Sequence, residues 1–359
     1  MKRSRDSIKR GALIALICAL GISSTVRSQQ VTEIEPGLYS TGELKATATI
    51  TPQKRVSVRS AVSLSGSLKI ATSQSETVSL MYRVQARAGN REKGIDYVDL
   101  ISVNVTAKVD EVRIEMRAPN PAPWEEDAEA GLVIAQLTVP PSCLVELDAV
   151  AFDISAKGPF REMLIPSSMG RLDISGVDGK LDISTANQRI LLQDISGEIS
   201  ASTTNANLTA RRLNCEGRQA RIRNESGDIK IESVKGELNV RNRYGRTEIS
   251  GFTPTNGGSY VRCSSGPVLI DVAGMTDGRL AISNEYEDVE LRVPESISAA
   301  LALTVDDDGT IDASQLKFVA DLVEHNHLSL RLGQGIGSIS ASIRGKGNIL
   351  VRGKSGDEE

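Results

Sequence analysis

The sequence predicts an all-β chain, a single-chain β-solenoid with an N-terminal β cap region, and three observations carry that expectation. Glycines recur in one phase, each followed by aliphatic residues at the second and fourth positions. Aromatic residues make up only 3% of the chain, with a single Trp, whereas there are 31 glycines. A thin core of stacked turns excludes large rings, while a globular core of this size would recruit more of them. Finally, the segments between turns alternate apolar and polar residues with a period of two, the period of a strand with one buried face.

The chain opens with MKRSRDSIKRGALIALICALGISSTVRSQQ, which places five Lys or Arg before Gly11, an apolar run from Ala12 to Ile22, and Val26-Arg27-Ser28 as a small-residue cleavage site. That is the pattern of a secretory signal. The apolar run is shorter than the roughly 18 residues a membrane anchor needs. Residues 1–28 are therefore expected to be removed on export to the periplasm, the cell surface or the exterior, and no transmembrane segment is expected in the mature chain. Cys18 leaves with them, and the bulky Ile17 before it does not suit lipoprotein attachment. The mature chain then carries 36 basic and 45 acidic residues (42−6 and 46−1), a net charge of −9. An acidic surface of this kind argues against a nucleic-acid partner.

Residues 29–165 read as a β-rich cap and the first turns of the array. The runs from Lys54 to Thr72, Val78 to Ala88, Tyr97 to Ala118, Leu132 to Pro140 and Cys143 to Gly158 all read as strands, longer than those that follow, and a Pro-rich acidic loop from Asn120 to Gly131 interrupts them. A repeat array needs such a cap because the first stacked unit would otherwise expose its core and its strand edges.

Residues 166–353 carry the glycine-punctuated repeat. Gly227, Gly236 and Gly245 lie nine residues apart (236−227, 245−236) and are followed in phase by Ile229 and Ile231, Leu238 and Val240, and Thr247 and Ile249. The same phase follows Gly170, Gly179, Gly197, Gly266, Gly278, Gly309, Gly337 and Gly347, with Thr247 the one non-apolar residue in the set. Each glycine is expected to begin a short strand, at a corner where its tolerance of positive φ is used. Asn-rich corners at Asn205, Asn207 and Asn242 fit the same geometry. No convincing helix is visible, and Gln315 to His325 reads equally as a short helix or a strand. Residues 354–359 are expected to be a disordered polar tail.

The order of these features resembles that of bacterial secreted putative adhesins built on a domain of unknown function. Val56 to Ile70 matches the family's early V-x-V and G-x-L-x-I segment, and LVIAQLTVPPSCLVEL matches its strand pair with a VP step. Ser226 to Val240 matches its SGDIxIxxVxGxLxV repeat, and Leu330 to Val351 its Gly-rich ending. The resemblance covers about residues 45 to 353 and implies a β-solenoid fold and export more firmly than any activity.

Candidate chemistry is sparse. Cys143, Cys215 and Cys263 remain after signal removal, an odd number that permits at most one disulfide and equally suits three buried thiols. His325 and His327 form an H-x-H, but zinc needs at least three protein ligands and no further histidine exists, so a polar turn is the expectation. Asp306, Asp307 and Asp308 precede Gly309 as in a calcium loop, yet Thr304 and Gln315 would then occupy ligand positions that require carboxylates. Asp173 and Asp182 lie nine residues apart, both outward in phase, and are set beside Arg171 and Lys180. They are expected to form charge pairs between neighbouring turns rather than an acid and base. Trp124 is read either as a contact residue in the acidic loop or as a ring covering the end of the cap. No G-x-S-x-G or GxxxxGK motif is present. The expectation is thus a non-enzymatic, adhesin-like binding or structural module using the outer face of the solenoid, with no catalytic, cofactor-binding or metal site. Its partner is an envelope or extracellular glycan, a protein or another copy of itself. The alternative is a polysaccharide-acting β-helix enzyme, a lyase or hydrolase.

Overall fold

The computed structural model describes residues 30–50, 54–125, 128–141, 143–255, 257–306 and 308–354. The expected signal segment and residues 355–359 lie outside them. The chain is all-β, with 66% strand and 3% helix.

Two parallel ladders organise the structure. In the first, Leu68, Ile154, Leu172, Ile190, Leu208, Ile229, Thr247, Val268, Val289 and Ile349 pair in register, each strand parallel to the last. In the second, Val56, Val145, Met163, Leu181, Ile199, Ala220 and Leu238 do the same. All of these side chains are buried. The two aliphatics of one segment are too few to make a core, and stacking merges them into one continuous cluster from Val31 to Val351. The step between partners is 18 residues from Ile154 to Leu208 (172−154, 190−172, 208−190) and 21 from Leu208 to Ile229. Three residues, 216 to 218, are extruded at the register shift between Cys215 and Gln219 and account for the longer step.

The nine-residue glycine spacing is half of this step. Gly227, Gly245, Gly266, Gly278, Gly337 and Gly347 stand at or just before the start of a strand, as expected, whereas Gly179, Gly197 and Gly236 lie inside the long strands Leu172–Thr185, Ile190–Thr203 and Ile229–Tyr244, which run through them. Gly197 shows why the residue is needed. Its φ is +109°, and a Cβ there would lie 2.1 Å from the carbonyl oxygen of Gly179, its partner in register. The inward phase holds at all these glycines, with Ile311 alone only half-buried. Thr247 also points inward, at 0% exposure.

Antiparallel strands close both ends. At the N-terminal end Thr77–Arg87 pairs antiparallel with Ala130–Val139, Leu44–Thr49 and Leu38–Ser40. At the other end Ala299–Thr304 pairs antiparallel with His327–Leu332, which pairs antiparallel with Val319–Val323. The sequence pattern places a cap only at the first end, and within Gln315 to His325, which reads equally as helix or strand, Val319–Val323 is a strand. Pairing continues across residue 165, since Ala151–Ile165 is parallel both to Leu64–Thr72 and to Leu172–Thr185. Lys354, expected in the tail, ends the last strand and ion-pairs with Asp271 at 2.6 Å.

One helix, Arg91–Asp99, overturns the expectation of none. The Asn90 carboxamide oxygen accepts the Lys93 N–H at 3.0 Å and caps its first turn. Gly94, Tyr97 and Val98 form its buried side. Gly94 is required because a Cβ there would meet the Tyr39 ring at 2.1 Å. Tyr97 and Val98 favour strands by composition, and the cap and packing override that preference.

Candidate binding face

Strand alternation turns every second side chain outward, and in-register pairing stacks these into columns about 4.8 Å apart per rung. Several charges in the columns are paired from rung to rung. Arg171 grips Asp153 on the preceding strand through Nε at 3.0 Å and Nη2 at 2.6 Å, while its backbone N–H donates to the same carboxylate at 2.9 Å. Arg212 and Asp194 repeat the contact at 2.8 Å, and Arg243 and Glu225 at 2.6 Å, each pair 18 residues apart in sequence. Lys235 reaches Glu216 at 2.8 Å. The Arg171 guanidinium holds the Asp153 carboxyl below the usual carboxylate range, Arg212 does the same for Asp194, and the Lys230 ammonium for Glu232.

One corner of the array is lined internally by polar residues in register, Thr185, Thr203, Asn224, Asn242 and Cys263. Asn242 Nδ2 donates to the carbonyls of Gly227 and Gly245 at 3.2 and 3.0 Å and to Thr247 Oγ1 at 3.2 Å. That contact explains why Thr occupies an otherwise aliphatic position. Asn284 bonds the Gly266 carbonyl at 3.0 Å in the same manner. The Cys263 thiol takes the equivalent place, donating to the Gly266 carbonyl at 3.4 Å.

Cys143, Cys215 and Cys263 are all buried and free, so the thiol reading holds and no disulfide links them. Burial pushes all three thiols up, Cys215 to about 12. Asp173 and Asp182 are exposed, but the register stacks them in different columns, Asp173 with Ser155 and Leu191 and Asp182 with Leu164 and Ser200. The charge pairing between rungs is real, and Arg171 makes it with Asp153 rather than Asp173. His325 sits in a bend and His327 begins the next strand, its Nδ1 3.0 Å from Thr304 Oγ1. Asp306 accepts the Gly345 N–H at 2.6 Å and lies with Asp308, Asn326 and Lys346 around a shallow dent; Asp307 is outside the described residues. Among the described residues no cluster of three or more His, Cys, Asp or Glu has the geometry of a metal site.

Trp124 covers the cap. Its indole N–H donates to the Ser63 carbonyl at 2.9 Å, and its ring meets Tyr97 edge-on with centroids 5.4 Å apart. Glu129 anchors the same loop by accepting the Tyr97 hydroxyl at 2.5 Å and the Gly89 N–H at 2.9 Å, which together hold its carboxyl low.

No helix among the described residues is long and apolar enough to cross a membrane. No family model and no curated protein matches the chain. Solved structures similar to it include a putative adhesin from Parabacteroides merdae, 11% identical, covering 86% of this chain and 95% of that one with a TM-score of 0.40. A putative lipid binding protein from Parabacteroides distasonis is 11% identical over 86% of this chain and 96% of its own, with a TM-score of 0.37. A putative cell adhesion protein from Clostridium sporogenes is 10% identical over 87% and 100%, with a TM-score of 0.19.

Proposed function

We propose that this chain is an exported, non-enzymatic binding or structural module whose parallel strands wind as a β-solenoid and whose outer face is the working surface. The observation that carries this reading is the ion pairing of outward carboxylates with cationic neighbours, as at Asp153 with Arg171 and Asp194 with Arg212. Asp153, Asp194 and Glu232 are each held below their ordinary pKa by a cationic neighbour. A general acid needs a carboxyl pushed the other way, by burial or a like charge. Outward charge paired at several rungs instead offers many weak contacts along one direction, the way repeat arrays present a binding surface. The parallel steps of 18 and 21 residues from Ile154 to Val289 support the winding, and the segment before Gln29 supports export.

The test has two arms. Purified mature protein is incubated with acidic and neutral polysaccharides, with and without calcium, and is separately mixed with isolated cell-envelope material. Binding to the envelope without chain cleavage is expected. Cleavage that disappears in Asp173→Asn or Asp182→Asn would replace this reading with the enzyme one. Protease treatment of intact and lysed cells then separates surface display from a periplasmic location.

A further inference from the structure

Several outward charges on this protein face an opposite charge one rung away, whereas one column stacks three arginines. Arg223 pairs in register with Arg241, and Arg241 with Arg262, on three consecutive parallel strands. All three are exposed. Arg262 lies 3.4 Å from Glu285, while among the described residues Arg223 and Arg241 have no ion-pair partner. Glu225, two residues beyond Arg223, is engaged with Arg243, and Glu198 with Arg221. Like charges set directly opposite across strands destabilise a sheet, and this chain as a whole is acidic. A three-step arginine column is therefore a cost to the fold that an external anion would relieve.

Aromatic rings flank the column on both sides. Tyr260 precedes Arg262 by two residues on the same side of its strand and is 54% exposed. Tyr244, 47% exposed, follows Arg241 by three residues and is covered by the Arg243 guanidinium at 5.1 Å from its centroid. Asn239, in register with Tyr260, adds an amide beside the ring.

We propose that Arg223, Arg241 and Arg262, with Tyr244 and Tyr260, bind an acidic polysaccharide lying along the stacking direction. This rests on the outer-face reading above and names its partner class. Guanidinium groups recur once per rung, about every 4.8 Å, a spacing that suits a chain with a charged group on successive sugars. Planar guanidinium forks take carboxylate oxygens bidentately. The exposed Tyr260 ring presents a flat apolar face to the C–H face of a sugar ring, and Tyr244, with the Arg243 guanidinium over it, adds exposed ring surface.

The test uses the mature full chain, with polygalacturonate as the acidic probe and dextran as the neutral one, measured by affinity electrophoresis and calorimetry. Wild-type protein is expected to bind polygalacturonate, to lose binding as salt is added, and to ignore dextran. Arg223→Gln/Arg241→Gln is expected to weaken binding at least tenfold. Lys69→Gln/Arg87→Gln, an equal charge change on other strands, is expected to leave it within twofold. The arginine double variant should also melt at or above the wild-type temperature, because it removes a repulsion. Equal weakening by the two double variants overturns the site, as does a lower melting temperature for the arginine variant. Envelope binding without polygalacturonate binding overturns the partner class and leaves the outer-face reading standing; binding to neither overturns both.

Discussion

Replacing Ile231 by Ala tests the packing logic of the whole array. Ile231 is fully buried, in register with Ala210 on one side and Ile249 on the other, and shares its strand with Ile229. The substitution removes three carbons, worth about 2.4 kcal/mol at about 0.8 kcal/mol per buried methylene. Ala210 is too small to close the gap, so a cavity contribution adds to this and places the loss near 3 kcal/mol, within the range of about 2 to 5 kcal/mol seen for such changes. At a urea dependence of about 3 kcal/mol per molar, the midpoint should fall by about 1 M. Circular dichroism of the β signal during urea unfolding reads this directly. The paired control is Lys230→Ala, one residue earlier on the same strand, where the side chain is exposed and its contact with Glu232 is a surface ion pair. Its midpoint should stay where it is. If the two variants unfold together, the assignment of inward and outward sides to these strands is wrong.

Gly197→Ala should cost more than about 2 kcal/mol, because it combines a positive φ with a Cβ 2.1 Å from the Gly179 carbonyl oxygen. Gly274→Ala, with no atom within 4 Å of the added Cβ, should change stability by less than about 0.5 kcal/mol. Equal melting temperatures would contradict the close approach. The folded mature protein at pH 8 should leave Cys143, Cys215 and Cys263 unlabelled by a thiol reagent, since burial raises all three and the thiolate is the reactive form. The same reagent in denaturant should label three thiols; fast labelling of the folded chain would show that one of them is accessible.

Much of this architecture is written in local pattern. The inward phase of Ile229, Ile231, Leu238 and Val240 is readable because alternation is a property of each strand alone. The helix Arg91–Asp99 escaped that reading because its buried residues, Gly94, Tyr97 and Val98, include two that favour strands and a glycine that makes sense only against the Tyr39 ring. Trp124 likewise became interpretable only once the Ser63 carbonyl and Tyr97 stood beside it.

What the sequence by itself determined is the strand content, the inward side of each segment and the scarcity of rings in the core, since all three follow from short-range periodicity and composition. The tertiary structure alone decided which residues lie one rung apart. A step of 18 or 21 residues depends on where three residues are extruded, as at 216 to 218, and no local rule sets that place. It decided that Arg171 meets Asp153 instead of Asp173, that the three cysteines stay apart, and that Arg223, Arg241 and Arg262 stand in one column. Side-chain interactions across strands act over a few ångströms of space, and residues 18 to 21 positions apart share that space only after the rungs have stacked.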